Sequence, residues 1–384
     1  MSQQSALARR MLEGTGEHAV ISIFVDLDPS EFATAPARAT QVRSLLDEAG
    51  RDGHGVESLP HADRTALTED LKRVEDYLGS GEPPVSGARA LAVFCSSLDD
   101  LFEVVPLAEP TSPRVVIAPT PYIEPLVAGP DAGRTAVVLV NRRSARILVS
   151  DLRRLREEEQ VSDDVHGQHS RGGWSQANYE RSADNEAEQH LRHVAAELYR
   201  TWQAEPFSTL ILGGPIEDVR RFAEDLHNDL RPALAPDHLD VDVEAASLAE
   251  VHAAVLPLLA QTRQAAHDAA LAELESRLSG AGAAARGVAA TLEALAERRV
   301  QTLLLALNFS AAGTRCPSCG LLFTADTTTC PADGETVVPV PDLREAAVEA
   351  AVLQDASVLV IGEGSDPPPP ALGRGGGIAA LLRF

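Results

Sequence analysis

Two short stretches of the sequence hold residues whose types and spacing could do chemistry. The first is Arg171-Gly172-Gly173-Trp174-Ser175-Gln176, within a polar run that continues through Asn178 and Tyr179 to Arg181. Adjacent glycines open backbone conformations closed to other residues and let a chain approach a partner closely. A glutamine beside them can orient a water and stabilise developing oxyanion charge, although it is no general base at neutral pH. Arg171 and Arg181 suit phosphate contacts that position a loop without reading sequence. The second stretch is Cys316-Pro317-Ser318-Cys319-Gly320, whose outline returns as Cys330-Pro331-Ala332-Asp333-Gly334. Thiolates two residues apart can share one tetrahedral Zn²⁺, and an Asp oxygen is an acceptable fourth ligand. Cys316, Cys319, Cys330 and Asp333 are therefore the expected metal ligands. The role expected for zinc is structural, since no general base adjoins the set and no position is left open for water.

Plainer readings stand beside these. A glycine pair can be an ordinary surface turn, and a ribbon with Asp in the fourth position can fold without metal. Gly173-Trp174-Ser175-Gln176-Ala177 loosely matches the serine-hydrolase elbow G-x-S-x-[GA]. That elbow needs an apolar strand immediately ahead of it, and the residues ahead here, VHGQHSRG, are polar. His166 and His169 have metal-ligand spacing but no carboxylates beside them on a regular helix, so they read as solvated loop residues. Cys95, alone in the apolar run LAVFC, reads as a small core residue.

The elements around these residues alternate in type. Residues 19–28, 90–96, 101–108 and 113–119 are short apolar runs that read as strands, with a helix over 62–80. Two apolar strands flanking Asn141-Arg142-Arg143-Ser144 predict a β-hairpin over 135–151. A long polar segment follows over 153–182. Ala187, Leu191, Val194, Leu198 and Trp202 then share one helical face. A strand is expected over 208–214, a helix over 215–230, a strand over 239–246 and a long helix from about 247 to 278. Beyond it come a helix over 289–299, strands over 301–308 and 357–363, a helix over 342–354 and a closing strand in GGIAALLRF. The expected fold class is α/β, with three domains, each a mixed sheet with helices. They span 1–133, 134–278 and 279–384, the last carrying the zinc-ribbon-like insert at 314–338.

The 170–181 stretch resembles the loop G-R-G-G-Q-S-A-x-R-F-x-R of the archaeo-eukaryotic class I release factors, which enters the peptidyl transferase centre. The arginine, the glycine pair, the serine, a later aromatic and a later arginine are all recognisable. Gln176 departs from the pattern by following Trp174 and Ser175 rather than the glycines, a displacement also found in the similar Vms-type peptidyl-tRNA hydrolases. The long helix leading into a final α/β unit, and its terminal strand, also resemble the release factors and Pelota. The resemblance implies a bacterial relative that docks in the ribosomal A site against rRNA. In this reading Gly172, Gly173 and Gln176 would act on peptidyl-tRNA, while Arg171, Arg181, Trp174 and Ser175 would contact RNA. It implies a translational GTPase such as elongation factor Tu as partner of the C-terminal domain. No stop-codon-reading element of the TASNIKS or YxCxxxF kind is present in the first domain, so the implied role is codon-independent. Two outcomes stay open: rescue by hydrolysis of peptidyl-tRNA, and hibernation by occupying idle ribosomes, as in the similar Balon-type factors.

Composition narrows the alternatives. At 384 residues the chain is too long for one core. Its 44% hydrophobic and 23% charged residues describe a globular protein rather than a disordered one. No apolar run reaches the length of a membrane span, and the first residues lack the apolar core of a secretion signal, so a cytoplasmic protein is expected. A net charge of -24 argues against a broad basic surface for nucleic acid, though not against local basic patches. The competing class is a non-ribosomal interaction module, or a small-molecule hydrolase, on a release-factor-like fold. An A-site ligand is expected to act as a monomer.

Overall fold

The computed structural model describes residues 3–27, 35–49, 59–80, 88–108, 110–127, 134–151, 154–162, 176–280, 283–362 and 370–384. These described residues form a mixed α/β protein with four sheets among them. The chain divides into two compact units, one made of Met1–Ala132 with Ala266–Phe384 and the other of Gly133–Ala265. No helix among the described residues is long and apolar enough to cross a membrane.

The first unit begins with helix α1 (Gln3–Glu13) and an antiparallel sheet of order β3-β2-β1-β4. Its strands are β1 (Val20–Asp26), β2 (Ala90–Ser96), β3 (Leu101–Leu107) and β4 (Arg114–Ala118). β1 and β2 are buried almost throughout because both faces of the sheet are covered, which explains their unbroken apolar runs. Helices α2 (Ala35–Ala49) and α3 (His61–Gly79) join those two strands. Two buried carboxylates on α3 satisfy main-chain amides at strand ends: Asp63 accepts from Ala19 at 2.8 Å, and Asp70 from Ser97 at 3.0 Å. Cys95 is a free, buried thiol within β2, as its apolar setting predicted. A short helix, α4 (Glu124–Val127), closes this part.

The second unit carries a sheet of order β7-β6-β5-β8. The predicted hairpin forms from β5 (Arg134–Val140) and β6 (Ser144–Asp151), in register from Ala136↔Val149 to Val140↔Ala145. β5 pairs in parallel with β8 (Phe207–Gly213), reached through helix α5 (Gln176–Ala204). Leu191, Val194 and Leu198 of α5 pack with Phe222 of α6 (Ile216–Asp225) on one face of the sheet. Val251 and Val255, from the first part of helix α7 (Leu248–Ser279), pack on Val137, Leu139 and Ile211 on the other. Ser247 and Glu250 form a reciprocal cap at the start of α7, each accepting the other's main-chain amide.

Three expectations in this unit need correction. The polar stretch over 153–182 contains strand β7 (Arg154–Ser162), and α5 begins within it, at Gln176, rather than after 182. β7 is an edge strand with one neighbour, so most of its side chains meet water and its composition hides it. α6 stops at Asp225 instead of running to 230, because Leu226 turns extended and His227 starts a turn closed by Leu230. Residues 239–246 form no strand beyond a single bridge between Leu239 and Gly213. The Asp242 side chain accepts from the amides of Glu244 and Ala245 at 2.9 and 2.8 Å, and this local turn competes with the ladder.

The remainder of the first unit is a sheet of order β14-β10-β15-β9. Its elements are β9 (Ala284–Arg286), α8 (Val288–Ala296), β10 (Val300–Ala306), α9 (Leu343–Val352), β14 (Ser357–Ile361), α10 (Pro370–Gly373) and β15 (Ile378–Leu382). β10 pairs in parallel with β14 and antiparallel with β15. The insert between β10 and α9 is a small sheet of order β12-β11-β13, from β11 (Gly313–Arg315), β12 (Leu322–Thr324) and β13 (Val338–Val340). One apolar cluster joins α1 and the N-terminal sheet to the C-terminal sheet and α9. The junction is polar at its centre. Glu345 accepts from the amides of Ile123 and Glu124 at 2.5 and 3.0 Å, while Arg344 pairs with Glu124 at 2.8 Å and donates to the Ala306 carbonyl at 2.8 Å.

Candidate functional site

The strand that precedes the glycine-rich stretch finishes at one end of the second unit's sheet. Ser162, the last residue of β7, pairs with Ser144, the first of β6, so the chain departs beside the hairpin turn at 141–143. Asn141 shapes that turn by accepting from the amides of Arg143 and Ser144, both at 2.9 Å. Arg142 forms an ion pair with Asp184 on α5, which brings the early part of that helix to the same end. Gly214 follows β8 there with φ +122°, and a Cβ on it would lie 2.2 Å from the Val140 carbonyl, so only glycine fits. Asp218 lies nearby: burial pushes its carboxyl up, opposed by Arg142 and Arg221.

Arg171, Gly172, Gly173, Trp174 and Ser175 lie outside the described residues, as do His166 and His169. Gln176 is the first residue of α5 and Arg181 is on its second turn, about 140° farther round the axis; their side chains are also outside what is described. The sequence reading placed Gln176 in a loop ahead of the helix, whereas it opens the helix. Main-chain N–H groups at such an end have no partner within the helix and favour negative charge. The strand delivering the chain to the loop has the opposite character, since Glu157, Glu158 and Glu159 are exposed on β7.

Cys316, Cys319, Cys330 and Asp333 do come together. Their ligand atoms all lie within 4.8 Å of one another. Each knuckle is the same device repeated. The Cys316 amide donates to the Leu321 carbonyl and Gly320 to Cys316, at 2.9 and 3.0 Å; the Cys330 amide donates to Glu335 and Gly334 to Cys330, at 2.8 and 2.9 Å. Gly320 and Gly334 hold φ of +74° and +79°, which lets both turns reverse tightly. The first knuckle sits between β11 and β12, and the second between β12 and β13, so the small sheet faces the two turns toward each other.

The four side chains fit one tetrahedral ion. The Cys319 and Cys330 sulfurs are 3.6 Å apart, far beyond a disulfide, whereas thiolates sharing one zinc at about 2.3 Å stand about 3.8 Å apart. Cys316 Sγ faces Asp333, with its oxygens at 3.2 and 3.5 Å. Asp333 is held near pH 2, chiefly by its hydrogen bond with Cys330, then by the Glu335 amide and Cys316. The Leu321 amide pulls the Cys319 thiol down. Desolvation and the bonds to Cys316, Cys330 and Asp333 outweigh it and push that thiol up to about 12. Such a cluster could take a soft divalent cation in exchange for thiol protons. Apart from Cys316 and Cys330, the insert's apolar cluster holds only Val337, with Phe323 packed against it, so the ligands form the centre of the insert.

Sequence reasoning missed the buried acid Glu345 at the junction of the first unit. Burial and the nearby Glu349 push its carboxyl well above the usual carboxylate range, against the pull of the Ile123 amide. The available signal was Asp342, Glu345 and Glu349 at helical spacing amid apolar residues.

Residues 121–259 match the model of bacterial archaeo-eukaryotic release factor family 10, which bears out the resemblance drawn from the loop motif. The matched segment contains that loop, the hairpin, β7 and all of α5. Among solved structures, the chain is similar to an archaeal translation termination factor, aRF1, at 18% identity over 100% of this chain and 97% of that one, with a TM-score of 0.25. Archaeoglobus fulgidus Pelota matches at 17% identity over 77% and 79%, TM-score 0.34. S. cerevisiae Dom34, a translation termination-like factor, matches at 10% over 77% and 79%, TM-score 0.43. At these scores the likenesses carry no weight for arrangement or activity. No curated protein matches the chain.

Proposed function

We propose that this chain is a ribosome-associated translation factor that enters the A site without reading a codon and brings residues 171–176 to the peptidyl transferase centre. The observation that carries the proposal is the family match over 121–259, which spans the loop, the strand before it and the helix opening at Gln176. Gln176 would orient water against the ester of peptidyl-tRNA, with rRNA supplying the rest of the site. Arg171 and Arg181 would hold the loop by phosphate contacts. The C-terminal sheet and α9 would meet a translational GTPase such as elongation factor Tu, as the family resemblance implies. Zinc bound by Cys316, Cys319, Cys330 and Asp333 would hold the two knuckles of the insert together, with no part in the reaction.

The test is peptide release from stalled ribosome–peptidyl-tRNA complexes, wild type beside Gln176→Ala, with ribosome co-sedimentation from the same samples. Release lost in Gln176→Ala while binding persists identifies a peptidyl-tRNA hydrolase acting in rescue. Binding without release by either protein identifies occupancy, as in hibernation. Neither binding nor release, with the GTPase supplied, refutes the ribosomal reading. One observation favours the competing class of a non-ribosomal interaction module: β7 carries Glu157, Glu158 and Glu159 in succession, and Arg146 and Arg156 offset only part of that charge, so this strand would repel RNA and suit a basic protein.

A further inference from the structure

The cysteine cluster presents one sulfur to solvent and holds a second close behind it. Cys319 is exposed, whereas Cys316 and Cys330 are buried, so an oxidant arriving from solvent meets Cys319 first. Its sulfur lies 3.6 Å from that of Cys330, on the other knuckle. Cys316 is turned instead toward Asp333, at 3.2 Å. Closing 3.6 Å to the about 2 Å of a disulfide asks for about 1.5 Å of movement, shared between two short turns. We propose that Cys319 and Cys330 are a peroxide-reactive pair whose conversion to a disulfide ejects the metal from the insert. The inference rests on the metal reading given above.

The chemistry balances with hydrogen peroxide as the two-electron oxidant. The Cys319 thiolate attacks a peroxide oxygen, the O–O bond breaks, and Cys319 becomes a sulfenic acid as hydroxide leaves. The Cys330 thiolate then attacks the Cys319 sulfur, forming the S–S bond and releasing a second hydroxide. Two protons from solvent turn both hydroxides into water. The two thiolates have lost the two electrons that the peroxide gained, and the metal leaves as a divalent ion. Asp333 makes this single step sufficient. Once Cys319 and Cys330 are joined, only Cys316 and one carboxylate remain as ligands, whereas a four-cysteine ribbon would keep two thiolates. Cys95 is an internal control: it is buried within β2, out of reach of solvent, with no second thiol beside it on that strand.

The experiment treats the full zinc-loaded chain with hydrogen peroxide. Zinc release is followed with a chromogenic chelator, and cross-links are mapped by peptide mass spectrometry. The expected result is one equivalent of zinc released in step with a Cys319–Cys330 bridge, Cys95 unmodified, and zinc rebound after reduction. Asp333→Cys keeps four ligands and should slow release several-fold; equal release by that variant contradicts the argument from Asp333. Zinc retained while Cys319 is over-oxidised, or released with Cys316 in the bridge, overturns the assigned pair and leaves the metal site standing. A freshly purified protein that holds no zinc by elemental analysis, and takes up none, removes the metal reading and this inference with it.

Discussion

Replacing Arg146 by Met should loosen the strand that delivers the chain to the loop. Arg146 is one-tenth exposed and lies on β6, where its Nε and Nη2 donate to the two carboxylate oxygens of Glu157 on β7, at 2.9 and 3.2 Å. Its Nη1 donates to the Ala246 carbonyl at 2.6 Å, and at 3.4 Å to Val243. Met keeps the aliphatic stem and removes every one of these donors. Breaking a fully buried pair costs about 3–5 kcal/mol. Glu157 is 32% exposed, so water replaces part of what it loses, and the expected cost falls to about 2–3 kcal/mol. In a domain of this size that corresponds to a fall of roughly 6–12 °C in the unfolding midpoint. Thermal unfolding followed by circular dichroism reads that loss. Hydrogen exchange should show β7 amides opening faster than those of β5, which has a neighbour on each side. A double-mutant cycle with Glu157→Gln should return a coupling of about 1.5–3 kcal/mol. A loss within about 0.5 kcal/mol, with no coupling and unchanged exchange in β7, would show that the fork does not anchor the strand.

Zinc affinity should fall by more than about tenfold per pH unit from pH 8 to 6, because the thiols, with Cys319 pushed up to about 12, must give up protons that Asp333 does not carry; competition against a chelator measures it. Gly214→Ala should cost at least about 2 kcal/mol in urea unfolding, since its backbone is left-handed and the new methyl meets the Val140 carbonyl. Glu345 holds its proton more tightly in the folded chain than in the unfolded one, so its contribution to stability is present below the usual carboxylate range and is lost as pH rises through its raised folded value. Glu345→Gln should flatten that slope in unfolding midpoints measured across the window. Ribosome binding through Arg171 and Arg181 should weaken with a slope of about -2 in log affinity against log salt, read by co-sedimentation; a slope beyond about -6 would require a broad basic surface instead.

The parts of the fold legible in the sequence were those in which composition and burial agree. β1, β2, β5 and β8 are apolar runs largely buried on both faces, and α7 is marked by the length of its helical pattern. β7 was not legible, because an edge strand bearing Arg156, Glu157, Glu158 and Glu159 has the composition of a loop. The false strand at 239–246 failed for the converse reason: Asp242 supplies a turn that no alternation pattern reveals. The meeting of Cys316, Cys319, Cys330 and Asp333 was legible to the residue, since knuckle spacing and glycine positions fix that geometry locally. The docking of the start of α4 against α9 was not legible, because Glu345 meets the amides of Ile123 and Glu124 across more than two hundred residues of sequence.

The net charge of -24 bears differently on RNA binding once the partners of the arginines are known. Arg146 holds Glu157 and a carbonyl, Arg344 holds Glu124 and the Ala306 carbonyl, and Arg315 holds Glu349. Arg277 and Arg383 reach the carbonyls of Leu382 and Gln354 at 2.7 and 2.6 Å. A guanidinium can satisfy a carboxylate and main-chain carbonyls together, which a lysine ammonium on its flexible stem does less well. These arginines therefore act as internal ties, and the charge of Arg146, Arg344, Arg315 and Arg277 is already matched by carboxylates within the fold. The acidic excess left on the surface opposes non-specific attachment to RNA wherever it is displayed. Under the ribosomal proposal, attraction must then come from a few cations near the loop, Arg171 and Arg181 first among them. Such a protein would bind where a structured cleft presents phosphates to those few positions, and would be repelled elsewhere. Codon-independent entry to the A site requires that kind of recognition, by shape and a local charge match rather than by a basic face.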